Sequence, residues 1–125
     1  MITIDLSGRV GLVTGSAGGL GAACARKLAE AGANVVLADI QYEKVLEQAG
    51  SISKDAGVEC IALCLDVTKW ADVENAVTEA VQKFGHLDIM VNCAGIGMMK
   101  PFDEYTQEDI DSIFDINTKG TWYGC

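Results

Sequence analysis

The sequence predicts a three-layer α/β fold, a doubly wound parallel sheet between two layers of helices. Three observations carry the prediction. Short apolar runs alternate with longer segments of helical period along the whole chain. The short runs are apolar nearly throughout, as strands covered on both faces must be. A glycine cluster falls where the first run gives way to the first helix. Right-handed crossovers between parallel strands leave few topologies, and the simplest is the order 3-2-1-4. Such a sheet binds ligands at the carboxyl ends of its strands, in the crevice between the first and the fourth.

Each element can be justified in turn. "RVGLVTG" (9–15) is a compact apolar strand ending in a glycine. "GLGAACARKLAEAGA" sets Leu20, Ala23, Cys24, Leu28 and Ala31 at helical spacing, with Gly32 placed to stop the helix. "NVVLADI" is a second buried-strand pattern, "QYEKVLEQAGSISKDAG" a polar amphipathic helix ending near Gly57, and "VECIALCLDV" a third strand. Thr68 is placed to cap the next helix, where Trp70, Val73, Ala76, Val77, Ala80, Val81 and Phe84 form one apolar stripe. Gly85 ends that helix, and "LDIMVNCAG" is the fourth strand. A capping-box-like start at Thr106 opens a last helix, with Ile110, Ile113 and Phe114 along one face.

Composition narrows the function. The 125 residues suit one domain spanning 1–125, and with 50% hydrophobic and 22% charged residues the chain is globular rather than disordered. A net charge of -9 with no Lys/Arg cluster argues against nucleic acid and anionic membranes as partners. No run approaches the length of a membrane span, and the start lacks the n- and h-regions of a signal peptide, so a cytoplasmic location is expected. Cys24, Cys60, Cys64, Cys93 and Cys125 are then expected as reduced thiols. A zinc site is not expected, because Cys60 and Cys64 alternate within a strand-like run and His86 is the only histidine.

"TGSAGGLG" joins the first strand to the first helix. The common G-x-G-x-x-G spacing does not fit, and no Gly-Lys-Ser/Thr follows, which excludes a Walker loop. The spacing is Gly15-x-x-x-Gly19-x-Gly21. Gly15 allows the sharp exit from the strand, Gly19 lets backbone approach a pyrophosphate at the helix N-terminus, and Gly21 lets the helix pack close to the sheet. Ser16 and Leu20 belong to the same candidate cofactor loop. Asp39, with Ile40 behind it, ends the second strand, where a carboxylate accepts hydrogen bonds from both hydroxyls of an adenosine ribose. It would repel a 2′-phosphate, so the expected cofactor is NAD rather than NADP. Asp66 and Val67 end the third strand and could meet the adenine amino group and ring. Both aspartates admit a plainer role as helix caps, and Asp66 competes with Thr68 for one helix start.

Taken together these residues resemble the short-chain dehydrogenase/reductase family. The resemblance rests on the glycine spacing, Asp39, "DV" at Asp66 and Val67, "NCAG" at Asn92 to Gly95, and "IN" at Ile116 and Asn117. It implies a Rossmann fold and hydride transfer between a nicotinamide cofactor and a small alcohol or ketone. In the family the first Asn of the fourth-strand motif helps hold the sheet, and the loop lies along the nicotinamide-side ribose. That assigns Asn92, Ala94 and Gly95 to the cofactor, with Cys93 standing where the family has a second Asn. Asn117 falls on the face of Ile113 and Phe114 and so reads as a buried amide needing partners, a helix carbonyl being one candidate. By resemblance it is the family's catalytic Asn, which positions a water in the proton relay.

The family also needs a Tyr with a Lys four residues later, and a Ser that binds the substrate oxygen. Four residues after Tyr42 stands Leu46, and four after Tyr105 stands Asp109, while Tyr123 has no residue at that position. His86 belongs to the connection before the fourth strand, away from the crevice. The expectation is the cofactor half of an oxidoreductase, incomplete on its C-terminal side and inactive alone. The alternative is a half-domain that binds NAD without catalysis or associates with itself. An apolar open edge on the fourth strand favours self-association, and in the family the helix holding Asn117 usually joins the oligomer interface, so a homo-oligomer is expected. Met98 and Met99 could form an adaptable wall for substrate.

Overall fold

A computed structural model describes all residues, 1–125. The strands are β1 (Val10–Thr14), β2 (Asn34–Asp39), β3 (Cys60–Cys64) and β4 (Ile89–Asn92). The helices are α1 (Gly19–Glu30), α2 (Tyr42–Ala56), α3 (Trp70–Phe84), α4 (Gln107–Ile113) and α5 (Gly120–Gly124). A π-helical turn, Phe114–Lys119, runs between the last two without a break, and a 3-10 turn, Phe102–Glu104, precedes α4. The sheet is parallel throughout in the order β3-β2-β1-β4, as the sequence predicts. Val13 pairs with Leu37 on one side and Val91 on the other.

Side chains alternate across the sheet and divide the core in two. Val13, Val35 and Leu37 face Ala25 and Ala29 of α1 and Val45, Ala49 and Ile52 of α2. Leu12, Val36 and Ala38 face Val73, Ala76 and Ala80 of α3 on the opposite side. Burial of one such Val or Leu side chain contributes about 1.5–3 kcal/mol, so β1 and β2, covered on both faces, anchor the fold.

Three local expectations need correction. The core-facing stripe of α1 is Gly21, Ala25 and Ala29, while Leu20 is 82% exposed. Small residues sit inward because the helix lies close to the sheet. In α3 the buried face narrows to Val73, Ala76 and Ala80, leaving Trp70 and Val81 exposed at its flanks. Thr68 does not cap α3. Its hydroxyl donates to Asp66 Oδ1 at 2.7 Å, and the helix begins one residue later, with Lys69 as an N-cap that makes no side-chain bond.

Candidate functional site

At the carboxyl ends of the strands, where the order reverses between β1 and β4, lies a cavity of about 400 Å³. Gly15, Ala17 and Gly18 reach it from the β1–α1 loop, and Asp39, Ile40, Gln41 and Lys44 from the end of β2 and the start of α2. Leu65, Asp66 and Val67 follow β3, Cys93 to Ile96 follow β4, and Ile116 comes from the π turn. Five separate segments therefore converge on one crevice.

The glycine loop is shaped by close approach. A Cβ on Gly15, whose φ is +67°, would lie 2.7 Å from the backbone of Ala94, and one on Gly21 would overlap the Gly15 carbonyl. The hydroxyl of Thr14, almost fully buried, accepts from the amides of Cys93 and Ala94 at 3.2 Å each, which fixes the β4 loop against the β1 loop. Ser16 is 0% exposed, its hydroxyl donates to the Val13 carbonyl at 2.9 Å and its amide to the Ala38 carbonyl at 3.4 Å, so it ties the loop to β2 and does not line the crevice. At the start of α1, Gly18 is an extended N-cap without a side-chain bond, and the first turn holds no acidic residue. The positive end of the helix is therefore bare. No atom lies within 4 Å of where a Cβ on Gly18 or Gly19 would be, which leaves open space above that end.

Asp39 divides its carboxylate between two neighbours. Oδ1 accepts from the Gln41 amide at 2.9 Å at the entry to α2, and Oδ2 accepts from the Ala17 amide at 3.2 Å in the glycine loop. Asp66 Oδ1 accepts from both the Thr68 hydroxyl and the Thr68 amide. The hydroxyl bond is the chief reason its carboxyl sits below the usual carboxylate range.

Beyond β4 the loop is held at several points. Asn117 Oδ1 accepts from the Ile96 amide and Nδ2 donates to the Ile96 carbonyl, both at 2.8 Å. Both ends of the amide are thus engaged, but its residue is exposed rather than buried, and its partner is a loop rather than a helix carbonyl. The reason lies in the winding: Gly120 donates to Asp115 five residues back, so a face extrapolated at 3.6 residues per turn fails beyond Phe114, itself 59% exposed. Tyr105 donates to the Met98 carbonyl at 2.6 Å, and Lys100 pairs with Asp109. Asp109 also closes the capping box with Thr106, and the Lys100 ammonium, with those bonds, holds its carboxyl down at about 2.

Asn92 stands apart from the cavity, its Oδ1 buried without a hydrogen-bond partner. Gly19, Leu20 and Gly21 lie beside the cavity at the helix end rather than in its walls, and none of Tyr42, Tyr105 and Tyr123 lines it. His86 binds the Gly8 carbonyl and Asp88 at the amino ends of the strands. Thr14, Gln41 and Lys44 were not singled out in the sequence, and Ile116 entered only beside Asn117 as part of the resemblance. A threonine immediately before the glycine loop is the one legible signal among them.

The family described as short chain dehydrogenase matches residues 9–125. The chain is 39% identical over 119 residues to the hydroxynaphthalene reductase-like protein Arp2 of Metarhizium guizhouense, covering 95% of this chain and 45% of that protein. It is 40% identical over 116 residues to a diacetyl reductase, (S)-acetoin forming, of Staphylococcus epidermidis, covering 93% of this chain and 45% of that one. A solved 3-ketoacyl-(acyl-carrier-protein) reductase from Brucella melitensis, complexed with NADH, superimposes with a TM-score of 0.88 at 37% identity, over 96% of this chain and 48% of that one. The chain spans about half the length of the curated relatives it matches. With the family's pattern matched from Arg9 to Cys125 and the chain superimposing on a solved reductase at 37% identity, the chain belongs to the short-chain dehydrogenase family.

Proposed function

We propose that this chain is the cofactor-binding part of an NAD-dependent oxidoreductase acting on a small alcohol or ketone. The observation that carries the reading is Asp39 on the wall of the crevice, bonded to the glycine loop through the Ala17 amide. The residues fit a dinucleotide. The open space above Gly18 and Gly19 and the bare end of α1 suit a pyrophosphate, with Gly15, Leu20 and Gly21 supplying backbone around it. Asp39 and Ile40 would hold the adenosine ribose, Asp66 and Val67 the adenine, and Asn92, Ala94 and Gly95 the nicotinamide side. Asn117, through its clamp on Ile96, would order the loop beside the reacting centre. When bound, the cofactor gives or takes a hydride at its nicotinamide ring.

The carboxylate of Asp39 favours NAD, because a 2′-phosphate would meet like charge there. A small neutral carbonyl compound agrees with relatives named for diacetyl and hydroxynaphthalene reduction. No tyrosine here is followed by a lysine four residues on, and none lines the cavity, so we expect the 125 residues to bind cofactor without turnover. That observation also favours the second reading, a binding half-domain without catalysis. NADH fluorescence titration tests the assignment. Saturable binding is expected in the range of about 1 μM–1 mM that such sites span, with NADPH weaker by about tenfold. Absence of binding, or NADPH binding as well as NADH, would overturn it.

A further inference from the structure

The helical arm formed by α4, the π turn and α5 meets the body of the protein through Ile116 and Tyr123, which pack against the core, Tyr123 edge-on to Trp70 at 5.3 Å, and through two glycines. Gly120 is its one buried residue. A Cβ on Gly120 would lie 2.7 Å from Val67 Cγ2 and 3.0 Å from Val67 Cβ. One turn later, a Cβ on Gly124 would overlap the Asn92 side-chain oxygen and lie 3.0 Å from Met90 Cε. Residues four apart share a helix face, so the two glycines meet the sheet together. Glycine is a poor helix former, so helix propensity gives no reason for two in one short helix; the contact does.

Gly120 also closes the π turn by donating to the Asp115 carbonyl, and Asn117 lies three residues before it. The Thr121 hydroxyl donates to the Asn117 carbonyl at 2.9 Å, tying the two turns together. One short stretch thus touches both walls of the crevice, Val67 through Gly120 and Ile96 through Asn117. We propose that Gly120, supported by Gly124, is a positioning residue. Its missing Cβ sets the height of the arm above the crevice and so brings the Asn117 amide within reach of Ile96. Carbon atoms pack at roughly 3.5–4.0 Å, so a methyl group at Gly120 asks for a shift of about 1 Å. The 3.0 Å approach to Val67 Cβ asks for only a few tenths of an ångström; the Cγ2 methyl is the main obstacle, and valine, stiff at χ1, does not readily turn it away. A shift of that size at Gly120, three residues from Asn117, would stretch the paired bonds now at 2.8 Å toward the limit of hydrogen-bond length.

The functional value of this device rests on the role given to Asn117, but the geometry is testable without it. Amide hydrogen exchange would be followed by NMR in the 125-residue chain and in Gly120→Ala, Asn117→Ala and the double variant Gly120→Ala/Val67→Ala. In Gly120→Ala the Ile96 amide should exchange about tenfold faster, approaching Asn117→Ala, while Val13 and Leu37 change by less than about threefold. Removing the Val67 methyls should restore slow exchange at Ile96. The proposal fails if Ile96 stays protected in Gly120→Ala, or if the core amides lose protection by the same factor. It also fails if Val67→Ala brings no recovery. An NADH titration of the unaltered chain separates the two ideas: failure to bind defeats the cofactor reading and leaves the exchange result standing.

Discussion

At the scale of single residues, Asp39 combines a structural and a binding role in one carboxylate. Its two oxygens already accept from Gln41 and Ala17, so removing them strands two backbone donors at the edge of the crevice. Asp39→Ala should cost about 1–3 kcal/mol in urea unfolding and weaken NADH by about tenfold. Asp39→Asn keeps one acceptor oxygen and removes the charge. It should lose less stability than the alanine and narrow the gap between NADH and NADPH, measured by paired fluorescence titrations. An unchanged ratio of the two cofactors would remove Asp39 from the selection. Gly21 offers a purely steric test. A methyl there overlaps the Gly15 carbonyl, so Gly21→Ala should destabilise by about 1–3 kcal/mol through displaced backbone, read as a lower urea midpoint at unchanged slope. Asp39 and Gly21 were legible because strand ends and glycine spacing mark their places. The inward turn of the Ser16 hydroxyl and the bridging role of Thr14 were not, because no pattern in one sequence shows which way a loop side chain points.

At the scale of elements, α4 shows how one carboxylate can start a helix and fasten a loop. Asp109 completes the capping box with Thr106 and pairs with Lys100, whose ammonium also stands 5.4 Å from the Tyr105 ring centre. With its carboxyl at about 2, below the ordinary 3.8, Asp109 prefers the folded state whenever ionised. A depressed carboxylate gives a contribution fully present above the unfolded value and lost as pH falls through the folded one. The loop from Ile96 to Tyr105 should therefore keep its order down to about pH 4 and loosen between about 4 and 2. Asp109→Asn should abolish that step, with Lys100 and Tyr105 NMR shifts as the readout; a step that survives in the variant would place its origin elsewhere. Thr106→Ala should cost about 0.5–2 kcal/mol through the lost cap. The cap was readable from "TQED", and four strands were readable from apolar runs. The π turn was not, because its extra residue leaves no mark in hydrophobic spacing, and the burial expected of Asn117 failed with it.

At the scale of the whole molecule, two opposed forces decide whether copies associate. The net charge of -9 repels like chains, while Phe114 and Trp122, the latter 76% exposed, leave apolar surface on the helical arm. No helix is long and apolar enough to cross a membrane, so that surface has no bilayer to enter along a spanning helix. Repulsion acts over a Debye length, about 30 Å at 0.01 M salt but about 8 Å at 0.15 M, whereas apolar contact is little changed over that range. Association should therefore rise with salt. It should rise again as pH approaches the isoelectric point near 4.3, where the repulsion vanishes. Sedimentation velocity on the chain of 13.2 kDa should show a monomer at low salt and neutral pH, moving toward twice that mass as salt is added. Phe114→Asp combined with Trp122→Asp should hold the chain monomeric at every salt concentration and leave NADH affinity within about twofold, since neither side chain lines the cavity. A dimer that persists in this double variant would move the contact away from the arm, with the sheet edges at β3 and β4 as the surfaces whose backbone groups two copies could pair.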